Sequence, residues 1–414
     1  MFLQALSLNC FSALVLFCLR ALLPRTVVLA LALLSSWGGL HAGQLQFENA
    51  TVSTTIDGKV SRDIVTLPFR WDLQYPGLAG SAVLEFEFMA DQLPQSPIGL
   101  YFPKLGSAYV VSLNGVVIGR DGDLLVSGGQ DTGKGPRLMP VNAELIKPHN
   151  ILRIQLRADS GRKAGVSAVV IDEWGKVSAL FDEYRLWRVG VPAAIAAAHA
   201  CLAVLSVLLW WWSGRARLDG AGPQPIFLFS AVALFCWALR LTDSIWETPP
   251  LPWPLWGAVP VLGLGIWGCC CAHVCMVVAK WDDRPWATAF RLWLVAILLS
   301  GLVFVPWGLI GAHPALLTIW YAVLGLTLLA FSVGLAKHSM GSGGNAGGRL
   351  LSGAVLLSAC IGLLDLLRMR THAGVADVAL LYYASIVFGL ILAITTFQYA
   401  RTNRQVSPKA HQAA

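Results

Sequence analysis

Seven stretches of this chain stay apolar long enough to cross a bilayer, and they limit what the rest can be. They fall at 189–212, 224–241, 254–279, 289–311, 315–336, 350–367 and 378–399. A hydrocarbon core about 30 Å thick takes roughly 20 helical residues to span. In lipid every backbone polar group must be satisfied within the structure, so only helices and closed barrels cross. These stretches are continuously apolar instead of alternating, which selects helices. The expected architecture is a seven-helix transmembrane bundle over 187–400.

Lys and Arg set the orientation of such a bundle, the richer loops facing the cytoplasm. Arg215 and Arg217 follow the first stretch, Lys280 and Arg284 the third, and Lys337 and Arg349 the fifth. Arg401, Arg404 and Lys409 lie in the short basic tail, 401–414. The opposite connections carry Asp243 and Glu247, then His313, then Arg368 and Arg370. The C-terminal end is therefore expected in the cytoplasm and the segment before the bundle outside. Trp210, Trp211, Trp212, Trp253, Trp256, Trp281, Trp286 and Trp307 fall near the ends of the stretches, where interfacial aromatics belong. The net charge of +7 is mostly this cytoplasmic excess, and basic and acidic side chains nearly cancel over 43–188. The charge points to a lipid bilayer as partner and gives no ground for nucleic acid.

Upstream, Arg20 and Arg25 precede an apolar core at 26–34 and a small-residue region ending Leu40-His41-Ala42. That is the pattern of an export signal over 1–42. A further apolar run at 3–19 leaves open an uncleaved anchor. The outer segment, 43–186, has no cysteine, so no disulfide framework supports it. It is long enough to bury a core without one.

Within that segment the hydrophobic period is two. Leu84, Phe86 and Phe88 share one face of a strand, and Glu85 and Glu87 the other. Leu152, Ile154 and Leu156 alternate with Arg153, Gln155 and Arg157 in the same way. Strands of this kind are half-buried. Asn114-Gly115 between 109–113 and 116–118 reads as a hairpin turn, because Asn-Gly tolerates the positive φ angles that a type I′ turn needs. Further strands are expected at 64–69, 99–102 and 166–171. The sum is an antiparallel β-sandwich of jelly-roll, galactose-binding-like type. The stretch 177–186 suits either a short helix or a final strand. No Gly/Ser/Pro-rich linker separates it from the first crossing, which predicts stiff coupling.

At this point the layout resembles a family. An export signal, a sandwich and seven helices are similar to the bacterial seven-transmembrane receptors with diverse intracellular signalling modules. The residues that carry the likeness are Gly99-Leu100-Tyr101-Phe102-Pro103-Lys104-Leu105-Gly106, with Tyr109-Val110-Val111-Ser112-Leu113-Asn114-Gly115-Val116-Val117-Ile118-Gly119. Pro148-His149-Asn150-Ile151-Leu152-Arg153-Ile154 adds to it. The resemblance implies a sensor in the inner membrane whose periplasmic domain binds a small molecule or glycan. Such receptors usually continue into a kinase, cyclase or phosphatase module. Here about 15 residues follow the last stretch, so a separate cytoplasmic kinase or cyclase is expected to supply the output.

Sugar sites use aromatic faces and a few polar groups. Trp71, Tyr101, Tyr109, Asn114, Asp121, Asp123 and Arg137 are the ligand-binding candidates on strands and turns of the outer domain, with core packing the competing reading for the aromatics. The loops 119–123 and 128–135 are candidate rims. In the bundle, Arg240 with Asp243 and Asp365 with Arg368 are each spaced i, i+3 on one helical face. Charges at membrane depth usually face a partner or a cavity. An Arg240–Asp365 pairing across the bundle is one expectation, and snorkelling of each charge to the interface is the other.

Cys269, Cys270, Cys271, His273 and Cys275 invite a metal, but their spacing matches no closed zinc motif. No metal or other cofactor is expected. The histidines within the stretches, His199 and His273, do not form a His-x-x-x-His pair, and no Gly-x-Ser-x-Gly elbow occurs. The chain does not read as an enzyme. A non-signalling scaffold or glycan-binding subunit is the alternative to a sensor, followed by a small-solute transporter.

Overall fold

A computed structural model describes residues 45–93, 97–215, 224–310, 314–341, 346–370 and 379–410. The expected export signal, residues 342–345 of the glycine-rich stretch at 341–348 and the last four residues lie outside these. Two antiparallel layers form first. The larger is a six-stranded sheet in the order β3-β2-β5-β11-β8-β9. Its strands are β2 (Asn49–Ile56), β3 (Lys59–Thr66), β5 (Gly80–Met89), β8 (Ala108–Leu113), β9 (Val116–Asp121) and β11 (His149–Ala158). The smaller, β1-β13-β6-β10, comprises β1 (Leu45–Gln46), β6 (Ile98–Phe102), β10 (Arg137–Val141) and β13 (Val170–Glu173). A short third sheet, β4-β12-β7, joins β4 (Phe69–Arg70), β12 (Gly165–Val166) and β7 (Leu105–Gly106).

The alternation in the sequence becomes the core. β5 and β11 pair over their whole length, from Gly80 opposite Ala158 to Met89 opposite His149. Leu84, Phe86, Phe88, Leu152, Ile154 and Leu156 are all buried in one cluster with Leu100, Phe102, Met139 and Ile171 of the facing sheet. Each such side chain is worth about 1.5–3 kcal/mol relative to exposure. Glu85 and Arg153 face out and pair at 2.8 Å. Asn114 turns the β8–β9 hairpin at φ 52°, with Gly115 at φ 89°. A second hairpin, β2–β3, turns at Asp57 and Gly58 with φ 49° and 76°. Asp-Gly carries the same signal as Asn-Gly.

Residues 174–185 are helical, which decides between the two readings of that stretch. Helix α1 (Trp174–Arg185) lies on the small sheet, where Val177 packs with Tyr101 and Val170. It continues through a π-helical turn, Leu186–Gly190, into α2 (Val191–Arg215). The helix thus runs unbroken from β domain to bundle, and the expected boundary at 186/187 falls inside it.

The remaining helices are α3 (Pro225–Thr242), α4 (Leu255–Val278), α5 (Pro285–Leu309), α6 (Pro314–Met340), α7 (Ala346–Arg370) and α8 (Leu380–Ala410). Seven helices are long and apolar enough to cross a membrane, the first being the composite Trp174–Gly214. Each packs on the next in sequence, and α8 closes the bundle against α2 and α3. Small residues let large ones in. Trp320 on α6 lies against Gly265 of α4 and Gly301 of α5, and its indole donates to the Ile297 carbonyl at 2.9 Å. Leu292, Trp293, Leu299 and Leu302 of α5 point away from the protein, as a lipid-facing surface requires. The β domain and bundle belong to one compact unit, Leu45–Ala414.

Candidate binding site where the β domain meets the helices

The loop 122–136 of the β domain, the turn 159–163 and the segment 243–254 between α3 and α4, with the first turn of α4, meet at one end of the bundle. Polar side chains bind them together. Lys134 Nζ lies 3.1 Å from Asp243 Oδ1, which also accepts the Trp256 indole at 3.0 Å. Arg137 reaches Glu247 at 2.7 Å and Asp121 at 3.5 Å. The Glu247 carbonyl accepts the Asp131 amide at 2.7 Å. Arg188, on the π turn, donates to the carbonyls of Gly133 at 2.9 Å and Lys134 at 2.8 Å. Trp253 donates to the Ser160 carbonyl at 2.8 Å, with the Arg162 guanidinium 4.9 Å from its ring centre.

Behind this seam Asp159 is buried between two arginines, at 2.9 Å from Arg157 and 3.0 Å from Arg162. Arg162 also donates to the Gly129 carbonyl at 2.8 Å, so the ionic cluster fixes the seam loop. Gly161 takes φ +74°, and a Cβ there would stand 1.8 Å from the Leu309 carbonyl oxygen. Only glycine admits so close an approach between the β domain and the end of α5.

These contacts border a partly open cavity of about 430 Å³, within the roughly 300–1,000 Å³ of small-molecule sites. The β domain lines it with Trp71, Asp72, Tyr75, Lys104, Lys134 and Arg162. The bundle contributes Trp237, Arg240, Asp243, Tyr321, Asp365 and Tyr382, and below them Val261, Leu264, Leu324 and Leu328. The cavity is charged where the two parts meet and apolar between the helices. Two of its lining residues hold a buried polar atom without a hydrogen-bond partner: Asp72 at Oδ1, an acceptor, and Trp237 at Nε1, a donor. Burial raises the Asp243 carboxyl, but Lys134 and Arg240 beside it, with hydrogen bonds from Lys134 and Trp256, hold it below the usual carboxylate range.

The candidates read from the sequence are distributed differently from one sugar site. Trp71 lines the cavity but is core, its indole bonded to the Leu78 carbonyl at 2.8 Å. Tyr101 is buried under α1, and burial raises its hydroxyl pKa. Tyr109 is in the main core and is pushed up to about 12 by burial. Asn114 is a turn residue, donating to Leu145 and Asn150 and accepting from the Ile151 amide. Asp123 caps its own turn at the Leu125 amide. Asp121 and Arg137 belong to the seam. Arg240, Asp243 and Asp365 all line the cavity, each with its own partners. Asp365 accepts the Leu380 and Leu381 amides at the start of α8, with Arg368 at 3.7 Å. Arg240 lies beside Tyr321, Tyr382 and Asp243.

Lys134, Arg162, Arg188, Trp237 and Tyr321 were not legible as site residues. The loop 128–135 carried the one usable signal, as a candidate rim. Cys270, Cys271 and Cys275 pack in the bundle core, and His273 lies on the Phe229 ring. Among the described residues no group of three or more His, Cys, Asp or Glu is placed to hold a metal ion.

Fold and site together define a multi-pass membrane protein with a β domain docked on its helices over a polar-to-apolar cavity. No protein-family model and no curated protein matches the chain. Parts of solved glycosidases are similar in outline. An FMN-binding β-glucuronidase from Faecalibacterium prausnitzii L2-6 matches at TM-score 0.25 and 16% identity, over 32% of this chain and 23% of that one. A GH2 β-galacturonidase from Eisenbergiella tayi matches at TM-score 0.25 and 17% identity, over 33% and 26%. The matched part is about a quarter of those enzymes' length, and at such scores the likeness carries no argument about activity.

Proposed function

We propose that the chain is a membrane receptor whose ligand sits in the cavity between the β domain and the helices. In this reading the β domain is a jelly roll on the periplasmic side of a bacterial inner membrane. The C-terminal end lies in the cytoplasm and meets a separate kinase or cyclase. The observation that carries the reading is that both parts line one cavity. A ligand there touches both at once, and can shift their arrangement if it favours one of two states. The unbroken α1–α2 helix offers a stiff route for that shift. Tyr75 and Asp72 on the β side, the latter with one oxygen lacking a hydrogen-bond partner, suit a hydroxyl-bearing ligand such as a glycan.

The test uses full-length protein in nanodiscs, spin-labelled at Val60→Cys on β3 and Leu255→Cys on α4. A panel of mono- and disaccharides should change the interlabel distance distribution. A distribution that stays fixed across the panel counts against a glycan receptor. A reporter fused after Ala414 should be active in the cytoplasm, and periplasmic activity would reverse the topology.

A further inference from the structure

On the bundle side the cavity is mostly apolar, and among its polar lining residues are four that can donate hydrogen bonds: Trp237, Arg240, Tyr321 and Tyr382. Trp237 and Arg240 stand three residues apart on one face of α3. Tyr321 comes from α6 and Tyr382 from α8, and all four line the cavity. Indole and guanidinium groups donate and do not accept. Trp237 is only 2% exposed, yet its Nε1 faces no partner. A buried donor left this way is under strong pressure to find an acceptor.

Of the nearby carboxylates, Asp243 lies beside Arg240 but accepts its hydrogen bonds from other partners, as does Asp365. Asp243 takes Lys134 and Trp256, and Asp365 takes the Leu380 and Leu381 amides. Below the donors the walls are Val261, Leu264, Leu324 and Leu328. We infer that Trp237, Arg240, Tyr321 and Tyr382 receive an acidic oxyanion, carboxylate or phosphate, borne on an apolar body that extends between α4 and α6. Arg240 supplies the charge, with Tyr321 orienting it, and the Trp237 indole supplies a donor to a second oxygen. Charge-assisted bonds of this kind are the strong ones, and a low-dielectric site strengthens them. The inference rests on the reading that the cavity holds a ligand.

The experiment titrates full-length protein in phosphatidylcholine nanodiscs with four probes: dodecyl phosphate, laurate, dodecyltrimethylammonium and inorganic phosphate. Binding is followed calorimetrically and as a rise in unfolding temperature. Dodecyl phosphate or laurate should bind, and the cation of equal chain length should not. Arg240→Gln should weaken binding at least 10-fold, and Trp237→Phe and Tyr321→Phe each about 3-fold or more. Arg153→Gln, on the exposed sheet face, should leave it unchanged.

Inorganic phosphate binding as tightly as dodecyl phosphate would keep the anion site and overturn the apolar body. Equal binding of anionic and cationic chains, indifference to Arg240→Gln and Trp237→Phe, or no binding by any probe would overturn the inference. Alkyl phosphate binding with no change in the β3–α4 distance would remove the receptor reading and leave the anion site. A distance change insensitive to Arg240→Gln would do the reverse.

Discussion

Lys134 of the β domain and Asp243 at the end of α3 form an ion pair at 3.1 Å across the junction of the two halves of the chain. Each side chain is about three-quarters covered, at 22% and 24% exposure. The pair therefore lies between the exposed class, worth 0–1 kcal/mol, and the buried class, where removing one partner costs about 3–5 kcal/mol. A double-mutant cycle of Lys134→Ala and Asp243→Ala should give about 1–2 kcal/mol of coupling in thermal or chemical unfolding. Additive single mutants would show that the contact holds nothing.

The same carboxylate predicts an acid response. A folded pKa below the unfolded one means that its contribution is present above the unfolded value, about 3.9. It is lost as pH falls through the lower folded value. Junction stability should hold from pH 7 to about 4 and fall below that. In Asp243→Asn that step should shrink in unfolding scans across pH. An unchanged acid profile would assign the response to other carboxylates.

Gly161→Ala should undock the turn 159–163 from α5. The added carbon meets the Leu309 carbonyl oxygen, in a backbone conformation that side chains rarely adopt. The expected loss is about 2 kcal/mol or more. Hydrogen exchange should rise in loop 128–135 while the β5–β11 amides stay protected. Equal loosening of both would indicate global destabilisation.

Asp159→Ala leaves Arg157 and Arg162 buried without their carboxylate, at a cost of about 3–5 kcal/mol. Glu85→Ala, which breaks the outward pair with Arg153, should cost under about 1 kcal/mol. The two together test whether burial, not mere pairing, decides. Comparable losses from both would contradict the assignment.

Much of the fold was written in local pattern. Continuous apolar stretches marked all seven spans, although the first helix begins well before its stretch, at Trp174, and the last continues past its stretch to Ala410; Leu84–Phe88 and Leu152–Leu156 marked the central strand pair. The Asp57-Gly58 hairpin carries an equally local signal. The cavity was less legible because its contacts are distant in sequence. Lys134 meets Asp243 109 residues away, and nothing in either neighbourhood names the other. Arg240, Asp243 and Asp365 were conspicuous because charge is rare at that depth. Trp237 and Tyr321 sit in apolar runs and read as lipid-compatible packing. Only the fold shows that both residues line one cavity.

The helix that leaves the β domain does not stop until it has traversed the bundle. Its 41 residues, Trp174–Gly214, give an axis of about 60 Å at roughly 1.5 Å per residue. Tilting a rod of that length by about 5° about its β-domain end would carry the opposite tip through roughly 5 Å, one helical pitch.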